Sequence, residues 1–518
     1  MEIAVLKKEN ADLKSKNIQL ENENKWLKEQ ILLANKKKFG SSSEKTPALQ
    51  IELGFNEAEA VADSADEVVE PKTITYTRKP KSVGHRKEAL ENVPTEVIEY
   101  RLSEEEQVCS CCGGHMHEMG SDTREEIVII PAQLKAIKHV KFKYACRNCE
   151  RNEITTPIVT ASAPKALIPK SLASASAVAY IMSQKYTEAM PLYRQEKHFE
   201  RMGIELPRAT LSNWMLKGGE MLEPIFNYMH QRLLNLDIAH ADETTLQVLH
   251  ETGRKAESKS YMWLYRSGRE GPPIVLFEYQ PTRGGSNPKQ FLDGFAGHLH
   301  ADGYSGYNDI KSVTLVGCWT HARRKFVDAL NVIPEAQRDD PKNLANIALK
   351  YISGLYKIED ELCDASSEHR KAVRSERSKI ILDEFKVWLD KESGLTLPKS
   401  TLGAAFTYCK NQWLKLIEFL TDGRLEIDNN RAERSIKPFV IGRKNWLFSN
   451  TPRGAKTSAI IYSIIETAKE NGLDPFSYLK YVFEQLQKNN SKKTIDDLLP
   501  WNPTVQALLN IKLNTYQS

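Results

Sequence analysis

The chain has 518 residues, which is too long for one ordinary hydrophobic core and predicts several domains. Its 41% of hydrophobic and 27% of charged residues are typical of a globular protein, and no apolar run approaches the roughly 20 residues that span a bilayer. The net charge is only +4, but residues 46–71 hold seven acids and no base, whereas residues 72–87 hold six bases and no acid.

Segregated charge of this kind is typical of tails and patches that meet a polyanion, although each run alone could be a solvated face. The N-terminus shows no apolar signal core and no cleavage signal, so we expect a cytoplasmic protein without a membrane partner. Five of the eight cysteines lie between Cys109 and Cys149. In a reducing compartment such clustering favours a metal site over disulfides.

The first predicted element is a helix at residues 1–38 with a heptad repeat. Leucine recurs every seven residues at one seam position, and asparagine occupies the other. This pattern is typical of a parallel two-stranded coiled coil, because a buried asparagine finds its partner only across a dimer in register. The alternative is a single amphipathic helix packed on its own domain. The residues predicted to dimerise are Leu6, Leu13, Leu20, Leu27, Asn10, Asn17 and Asn24.

Residues 39–90 form a predicted linker, first acidic and then basic, and two CxxC pairs follow it. Two such knuckles complete a closed tetrahedral zinc site, which stabilises a fold and leaves no open position for chemistry. We assign this zinc-ribbon DNA-binding domain to residues 91–165, where six bases between Lys135 and Arg151 predict phosphate contact. Pairing of Cys109 with Cys111 stays open, and unliganded core thiols are the alternative. The predicted zinc ligands are Cys109, Cys112, Cys146 and Cys149.

Residues 166–234 have the pattern of helices. A turn at residues 203–207 separates two of them, and the second begins with the sequence RATLSNW. This arrangement is typical of a helix-turn-helix, in which the start of the second helix contacts DNA. A helical bundle between domains is the alternative. The predicted DNA-contacting residues are Arg208, Thr210, Ser212 and Asn213.

From residue 235 the hydrophobic pattern changes to that of strands. Three strand-like runs follow one another, LDIAHADETTLQVL, SYMWLYRSG and PIVLFEYQ, and further strands then alternate with helices. This order is that of a ribonuclease-H-like α/β domain, whose first part we assign to residues 235–332. Helical patterns predict an all-helical insertion at residues 333–421. Residues 422–488 then complete the domain and residues 489–518 form a tail, so the predicted fold class is multidomain α+β.

Two aspartates of this domain follow strand-like segments, Asp242 after LDIAHA and Asp302 after HLHA. Ends of neighbouring strands lie side by side, so two acids there can share divalent ions, and their hard oxygen ligands suit Mg²⁺ or Mn²⁺. Two ions about 3.5–4 Å apart activate the attacking oxygen and stabilise the leaving oxygen of an in-line displacement. Such a site needs a third carboxylate from elsewhere in the chain. Taken singly, each aspartate could also be a turn residue that caps its strand.

Residues 431–456 supply the candidate for the third carboxylate. This segment carries seven bases and one acid, Glu433, which would repel a phosphate unless a divalent ion lay between them. Alternatively, Glu433 pairs with a lysine one helical turn further on, or closes a capping box at the start of its helix. We predict that this short helix starts at Asp428 and Asn430 and ends at Pro438.

Eight segments of the chain together resemble a DDE-type transposase of the bacterial insertion-sequence-66 family, and they follow the family's order over almost the whole chain. Three of them hold the acids: HADETTLQVL, HADGYSGYN and DNNRAERSIKPFVIGRKNWLF. The others are KKKFGSSSEK, the CxxC pairs with YACRNC, GCWTHARRKF, SIIETAKENGLDPFSYL and DDLLPWN. The resemblance implies that Asp242, Asp302 and Glu433 form the catalytic triad and hold two Mg²⁺ ions. The pair Cys318 and His321 resembles a signature found after the second aspartate in several DDE lineages.

The resemblance implies an enzyme that recognises the terminal inverted repeats of its element, hydrolyses a phosphodiester to free a 3′-hydroxyl and joins that hydroxyl to target DNA. The implied cofactors are Mg²⁺ or Mn²⁺, beside the Zn²⁺ predicted above. The implied partners are double-stranded DNA, further copies of the chain in a dimer or higher assembly, and companion proteins of the same element. Two other classes stay open: a DNA-binding regulator with an inert α/β domain, and a nuclease of the same fold that cuts without joining.

Several bases near the acids are candidates for holding DNA. Three of them are the histidine of the CxxH signature and two arginines after it, for which a helix-surface role is the alternative. The other three lie in the basic segment around Glu433. We expect Glu243 to point to the opposite face of its strand from Asp242 and to play a supporting part. The candidate DNA-contacting residues are His321, Arg323, Arg324, Arg434, Arg443 and Lys444.

Overall fold

The computed structural model describes residues 133–145, 158–488 and 494–509, and scattered positions between residues 16 and 31. The linker and the four predicted zinc ligands lie outside the described residues. The chain divides into one unit of Met1–Gly40 with His139–Ser518 and another of Ser41–Lys138. In the second unit, residues 133–138 are described, and they are exposed and form neither helix nor strand.

The described positions near the N-terminus are all helical, as the heptad pattern predicts. Leu20 and Leu27 are 56% and 52% exposed, and Asn24 is exposed as well. The other residues predicted to dimerise, Leu6, Leu13, Asn10 and Asn17, lie outside the described residues. Two leucines of the predicted seam are therefore accessible within a single chain.

The regular elements beyond residue 142 are numbered here in chain order. The strands are β1 (Lys143–Ala145), β2 (Ile158–Thr160), β3 (Ile238–Gln247), β4 (Lys259–Ser267), β5 (Val275–Gln280), β6 (Gly297–His300) and β7 (Val313–Val316). The α-helices are α1 (Ala175–Tyr186), α2 (Leu192–Arg201), α3 (Arg208–Leu234), α4 (Ser286–Phe291), α5 (Trp319–Asn331), α6 (Leu344–Glu361), α7 (Ser367–Val373), α8 (Lys379–Ser393), α9 (Thr401–Leu416), α10 (Asn430–Trp446), α11 (Pro452–Glu470), α12 (Pro475–Lys488) and α13 (Pro503–Leu509).

Strands β3 to β7 form one mixed sheet in the order β5-β4-β3-β6-β7. The first three are antiparallel neighbours, which confirms the prediction of three consecutive strands. Strand β6 lies parallel to β3, and β7 lies parallel to β6. Short β1 and β2 pair with each other in a separate two-stranded sheet. The long strand β3 is therefore central, with an antiparallel neighbour on one side and a parallel neighbour on the other.

Helices cover both faces of the sheet. On one face Phe277 of β5 packs against Phe439 of α10 and Tyr462 of α11, with ring centroids 6.2 and 5.5 Å away. On the other face Tyr265 of β4 stacks on Phe291 of α4 at 4.0 Å. Helix α11 also satisfies the edge of β5, because hydroxyls of α11 accept the N–H groups of Val275 and Phe277. Burial on both faces explains why β4 and β5 are apolar runs without alternation.

Helices α1 to α3 pack into the same hydrophobic core as the sheet and α11 and α12. Tyr186 of α1 donates or accepts a 2.9 Å hydrogen bond with Ser458 of α11, deep in this core. Glycines let α3 approach closely, since a Cβ on Gly219 would lie 2.5 Å from the Thr457 side chain of α11. The predicted turn is present between α2 and α3, with Gly203 at a φ of +87°. The long α3 therefore buries one side in the main core from Leu211 to Leu233, while Arg208, Ser212 and Asn213 of its first turns are exposed.

The predicted helical insertion is present as α6 to α9, of which α6, α8 and α9 build a second core together with α5. Two buried arginines hold the point where the chain returns to the sheet. Arg374 donates to the carbonyls of Phe419 and Leu425, and Arg370 donates to that of Gly423. None of the helices in the described part of the chain is long and apolar enough to cross a membrane.

Candidate active site at the end of the parallel strands

Asp242 lies on β3, and Asp302 lies two residues beyond the end of the neighbouring strand β6. The parallel pairing of β3 with β6 runs to His240↔His300, and the imidazoles of these two residues stack with centroids 4.2 Å apart and planes 9° from parallel. Each aspartate follows its histidine by two residues, and the charge of Asp302 raises the pKa of Asp242, so the two acids lie near each other. The prediction that Asp302 follows the end of its strand is confirmed, since β6 ends at His300.

The prediction that Asp242 follows a strand is wrong in one respect. Strand β3 continues to Gln247, and Asp242 pairs with Leu264 of β4 within it. What ends two residues before Asp242 is the parallel pairing with β6, because β6 is short. The local sequence pattern did not show that β3 is longer than its neighbour β6. Because β6 ends at His300, Asp242 lies within β3 at a point where no parallel strand pairs with it.

Helix α10 places Glu433 near enough to Asp242 for its charge to raise the pKa of Asp242. The helix begins at Asn430 as predicted, but its N-cap is Asn429, and the Asp428 carboxylate accepts from the backbone N–H of Asn430. The predicted end at Pro438 is wrong, because α10 continues through this proline to Trp446. A proline lacks only one N–H donor, and packing of α10 on the sheet outweighs that loss.

The negative charges of the neighbouring acids affect the pKa of Asp242. Burial raises the pKa of Asp242 well above its usual range, and the charges of Glu243, Asp302 and Glu433 raise it further. A backbone N–H from Glu243, 2.8 Å from Oδ1 of Asp242, opposes this rise. The cluster has excess negative charge around a buried carboxyl, so a cation would be bound favourably there.

Glu243 points to the other face of β3, as predicted, and has its own partners. It lies opposite Trp263 of β4 and accepts a hydrogen bond from the Tyr307 hydroxyl at 2.8 Å. Arg283 also binds it, through Nε at 2.7 Å. Burial and the charge of Asp302 raise the pKa of Glu243, whereas Tyr307 and Arg283 lower it. Arg283 and Tyr307 were not predicted, because both come from loops whose approach to β3 follows no sequence pattern.

Helix α5 presents two predicted residues to Glu433. Nδ1 of His321 lies 3.8 Å from Oε1 of Glu433, and Nη2 of Arg324 lies 3.7 Å from Oε2. Burial lowers the pKa of His321, while the negative charge of Glu433 opposes that change. Sγ of Cys318, one nitrogen of His321 and one oxygen of Glu433 all lie within 4.8 Å of one another. Burial raises the pKa of the Cys318 thiol to about 12, and its Sγ accepts the N–H of Asn429.

The remaining predicted DNA-contacting residues lie at varying distances from the acids. Arg443 is tied to β3, since it donates to the Thr244 hydroxyl at 3.2 Å and to the Thr245 carbonyl. Arg208 is exposed at the start of α3 but forms an ion pair with Glu196 at 3.1 Å. The side chains of Ser212, Asn213, Arg434 and Lys444 are exposed, and those of Thr210 and Arg323 are half-buried.

Matches to families of known proteins lie between residues 26 and 501 of the chain. Residues 170–457 match the family described as Transposase IS66 family. The chain belongs to this family of transposases. Residues 106–150 match the zinc-finger binding domain of transposase IS66, and this match includes all four predicted zinc ligands. Residues 463–501 match the IS66 C-terminal element, and residues 26–98 match the domain described as Transposase C of IS166 homeodomain.

Three relatives come from Sinorhizobium fredii (strain NBRC 101917 / NGR234) and carry the names of uncharacterized proteins. The protein y4qI is 32% identical over 416 residues, which cover 77% of this chain and 74% of the relative. The protein y4jD is 30% identical over 442 residues, 81% and 84% of the two chains. The protein y4hP is 29% identical over 483 residues, 89% and 86%. The resemblance stated from the sequence is thus confirmed, and membership of the IS66 family indicates a DNA-binding transposase with a zinc finger.

Proposed function

We propose that this IS66-family transposase cuts and joins DNA with a carboxylate triad of Asp242, Asp302 and Glu433. The observation that carries the proposal is the convergence of three acids from distant parts of the sequence. The strands that precede the two aspartates pair in parallel up to His240↔His300, and the charges of both Asp302 and Glu433 raise the pKa of Asp242. Acids that lie close enough to perturb the pKa of a buried neighbour are typical of a functional site, and carboxylate oxygens are ligands of divalent ions.

The donor set fits magnesium or manganese, because carboxylate oxygens are the ligands these ions prefer. Bound divalent ions would supply activation of the attacking oxygen and stabilisation of the leaving oxygen. Asp242, Asp302 and Glu433 would hold the ions. Arg324 and His321 face Glu433 from α5 and would contact the phosphate that is cut, with Arg323, Arg434, Arg443 and Lys444 along the bound duplex.

The sheet supports a ribonuclease-H-like assignment for residues 235–332 and 422–488. Its strand order, in terms of strands β3 to β7 numbered one to five, is 3-2-1-4-5, with three antiparallel strands followed by two parallel ones. In this arrangement the first and fourth strands are neighbours, and these carry or precede the two aspartates. The helical insertion at residues 333–421 then accounts for the long separation of Glu433 from Asp302.

The other parts of the chain would find and pair the ends of the element. The zinc-ribbon domain at residues 91–165 would hold Zn²⁺ through four cysteines and contact phosphates. The exposed start of α3, with Arg208, Thr210, Ser212 and Asn213, would contact bases. The coiled coil at residues 1–38 would join two chains, because two element ends must be cut together. Companion proteins of the same element would complete the assembly.

Purified full-length protein should be incubated with duplexes that carry the inverted repeats flanking its coding region. We expect nicking that requires Mg²⁺ or Mn²⁺, followed by joining of the freed 3′-hydroxyl to a target plasmid. Glu433→Gln and Asp242→Asn should bind the duplex as the wild type does and lose cleavage by about 10²-fold or more, or about 3 kcal/mol. Cleavage that survives both substitutions would contradict the triad. Cleavage without joining would indicate that the protein is a nuclease. Binding without metal-dependent cleavage would indicate that it is a DNA-binding regulator.

A further inference from the structure

Asn429 is a buried polar residue at which three segments of the site meet. It is 1% exposed and directly precedes α10. Its Nδ2 donates to the carbonyl of Ala241 at 2.8 Å, and its Oδ1 lies 2.9 Å from Nδ1 of His240. Because a carbonyl only accepts, the bond to Ala241 fixes the orientation of the amide, and His240 must therefore donate from Nδ1. The side chain of Asn429 thus binds β3 at Ala241, the residue that precedes Asp242.

The backbone of Asn429 holds the other two segments. Its carbonyl accepts the N–H of Glu433 at 3.2 Å, within the first turn of α10. Its own N–H donates to Sγ of Cys318 at 3.2 Å, at the residue that caps α5. Helix α5 carries His321, which faces Glu433. One residue therefore links the strand of Asp242 to the helix of Glu433 and to the helix beside it.

The side-chain amide of Asn429 does not cap α10, although Asn429 is the N-cap residue of that helix. An asparagine at an N-cap normally accepts an N–H of its own helix, but this one makes no such bond. The parallel pairing of β3 with β6 ends at His240↔His300, so the carbonyl of Ala241 lies beyond the last paired residue. Nδ2 of Asn429 satisfies that carbonyl, which would otherwise be a buried acceptor without a partner.

We infer that Asn429 is a positioning residue that sets Glu433 against Asp242 and thereby determines how tightly the triad binds divalent ions. The inference rests on the proposed function, since it concerns the same three carboxylates. Groups that orient metal ligands through hydrogen bonds change metal affinity by about 10–100-fold when they are removed. Asn429 bonds neither carboxylate directly, but its side chain holds the residue before Asp242 and its backbone carbonyl holds the N–H of Glu433, so it acts on the backbone of two proposed ligands.

The test is Mn²⁺ binding by the full-length protein without DNA, followed through the electron paramagnetic resonance signal of free Mn²⁺. Asn429→Ser introduces a hydroxyl suited to the N-cap, but this shorter side chain cannot reach both β3 partners. We expect it to raise the Kd for Mn²⁺ by about 10–100-fold. Asn429→Thr fills more of the space and serves as the second variant should the serine variant not fold.

Ser435→Ala is the matched control. Ser435 is equally buried on the same helix, 3% exposed, and its hydroxyl accepts from Arg266 at 2.5 Å, away from the acids. Its loss should lower the thermal midpoint as much as Asn429→Ser does and leave the Kd for Mn²⁺ unchanged. A Kd within about twofold of wild type in Asn429→Ser, with binding lost in Glu433→Gln, would overturn the positioning role alone. Full Mn²⁺ binding by Glu433→Gln would overturn the proposed function and this inference with it.

Discussion

Arg283 binds Glu243 through two nitrogens, Nε at 2.7 Å and Nη2 at 2.5 Å, and the same Nη2 lies 4.0 Å from Oδ2 of Asp302. Its guanidinium also lies over the ring of Tyr304, 4.1 Å from the centroid. A single positive charge is thus held between a supporting carboxylate and a proposed catalytic one. The consequence is partial neutralisation of the acid cluster at its Asp302 side.

Replacing Arg283 by alanine should make the Glu243 carboxyl harder to ionise. Arg283 lowers the pKa of Glu243, so its removal raises that pKa and leaves more of Glu243 protonated in mildly acidic solution. We expect the acidic limb of the pH profile of metal-dependent cleavage to move to higher pH by about one unit. Arg283→Lys keeps the charge without the two-nitrogen contact and should shift the profile less. An unmoved acidic limb in Arg283→Ala would contradict the electrostatic role.

Glu278 provides a prediction about stability away from the acids. It lies on β5, accepts from Nε2 of Gln280 at 2.7 Å, and burial raises its pKa to about 7, a rise that Gln280 and Lys456 oppose. In an unfolded chain its pKa is about 4.3. Since the folded state holds the proton more tightly, the stability it contributes is full below about pH 4 and is lost as pH rises to about 7.

Glu278→Gln keeps the shape and the acceptor and removes the ionisation. Its thermal midpoint relative to wild type should therefore rise between about pH 4 and pH 7 and then level off, and the corresponding change in the free energy of unfolding should not exceed about 4 kcal/mol. Melting curves at several pH values measure the difference. Glu223→Gln, at an exposed position of α3, is the control and should show no such trend. A difference that does not change with pH would show that Glu278 is already ionised in the folded protein at low pH.

The zinc prediction concerns Cys146 and its three partners. Metal analysis of purified protein should find about one zinc ion per chain, because four thiolates complete one tetrahedral site. Cys146→Ser should lose that ion and, with it, affinity for DNA. Cys363→Ser replaces an exposed cysteine of the helical insertion and should keep the zinc. Equal zinc content in the two variants would contradict the assignment.

The predicted coiled coil can be tested at its two accessible leucines. Leu20 and Leu27 are more than half exposed in the single chain, so a partner helix could bury both. Leu20→Glu with Leu27→Glu should shift the protein toward monomer in sedimentation analysis. Val387→Glu, at a residue of α8 that is 72% exposed, is the control for added charge on an apolar surface residue. A double variant that dimerises as the wild type does would place the dimer contact elsewhere.

Much of the architecture followed from local patterns. The three antiparallel strands, the strand before α5 and the all-helical insertion were predicted because hydrophobic periodicity distinguishes strands from helices over such lengths. The two wrong predictions both end a secondary-structure element too early in the chain. Asp242 lies within a strand, not after it, and Pro438 lies within a helix, not at its end. In both cases packing on the sheet continues an element beyond the point at which the local pattern would end it.

The sequence by itself determined which acids and cysteines to consider and which family the chain resembles, because those depend on residue types at fixed spacings. Tertiary structure alone decided their surroundings. It placed Arg283 and Tyr307 on Glu243, and it directed the Asn429 amide to Ala241. These contacts join residues 40 to 188 positions apart, through loops and a helix terminus that carry no periodic pattern. Only the packed sheet brings such residues together, because its register and the helices on its faces fix their positions in space.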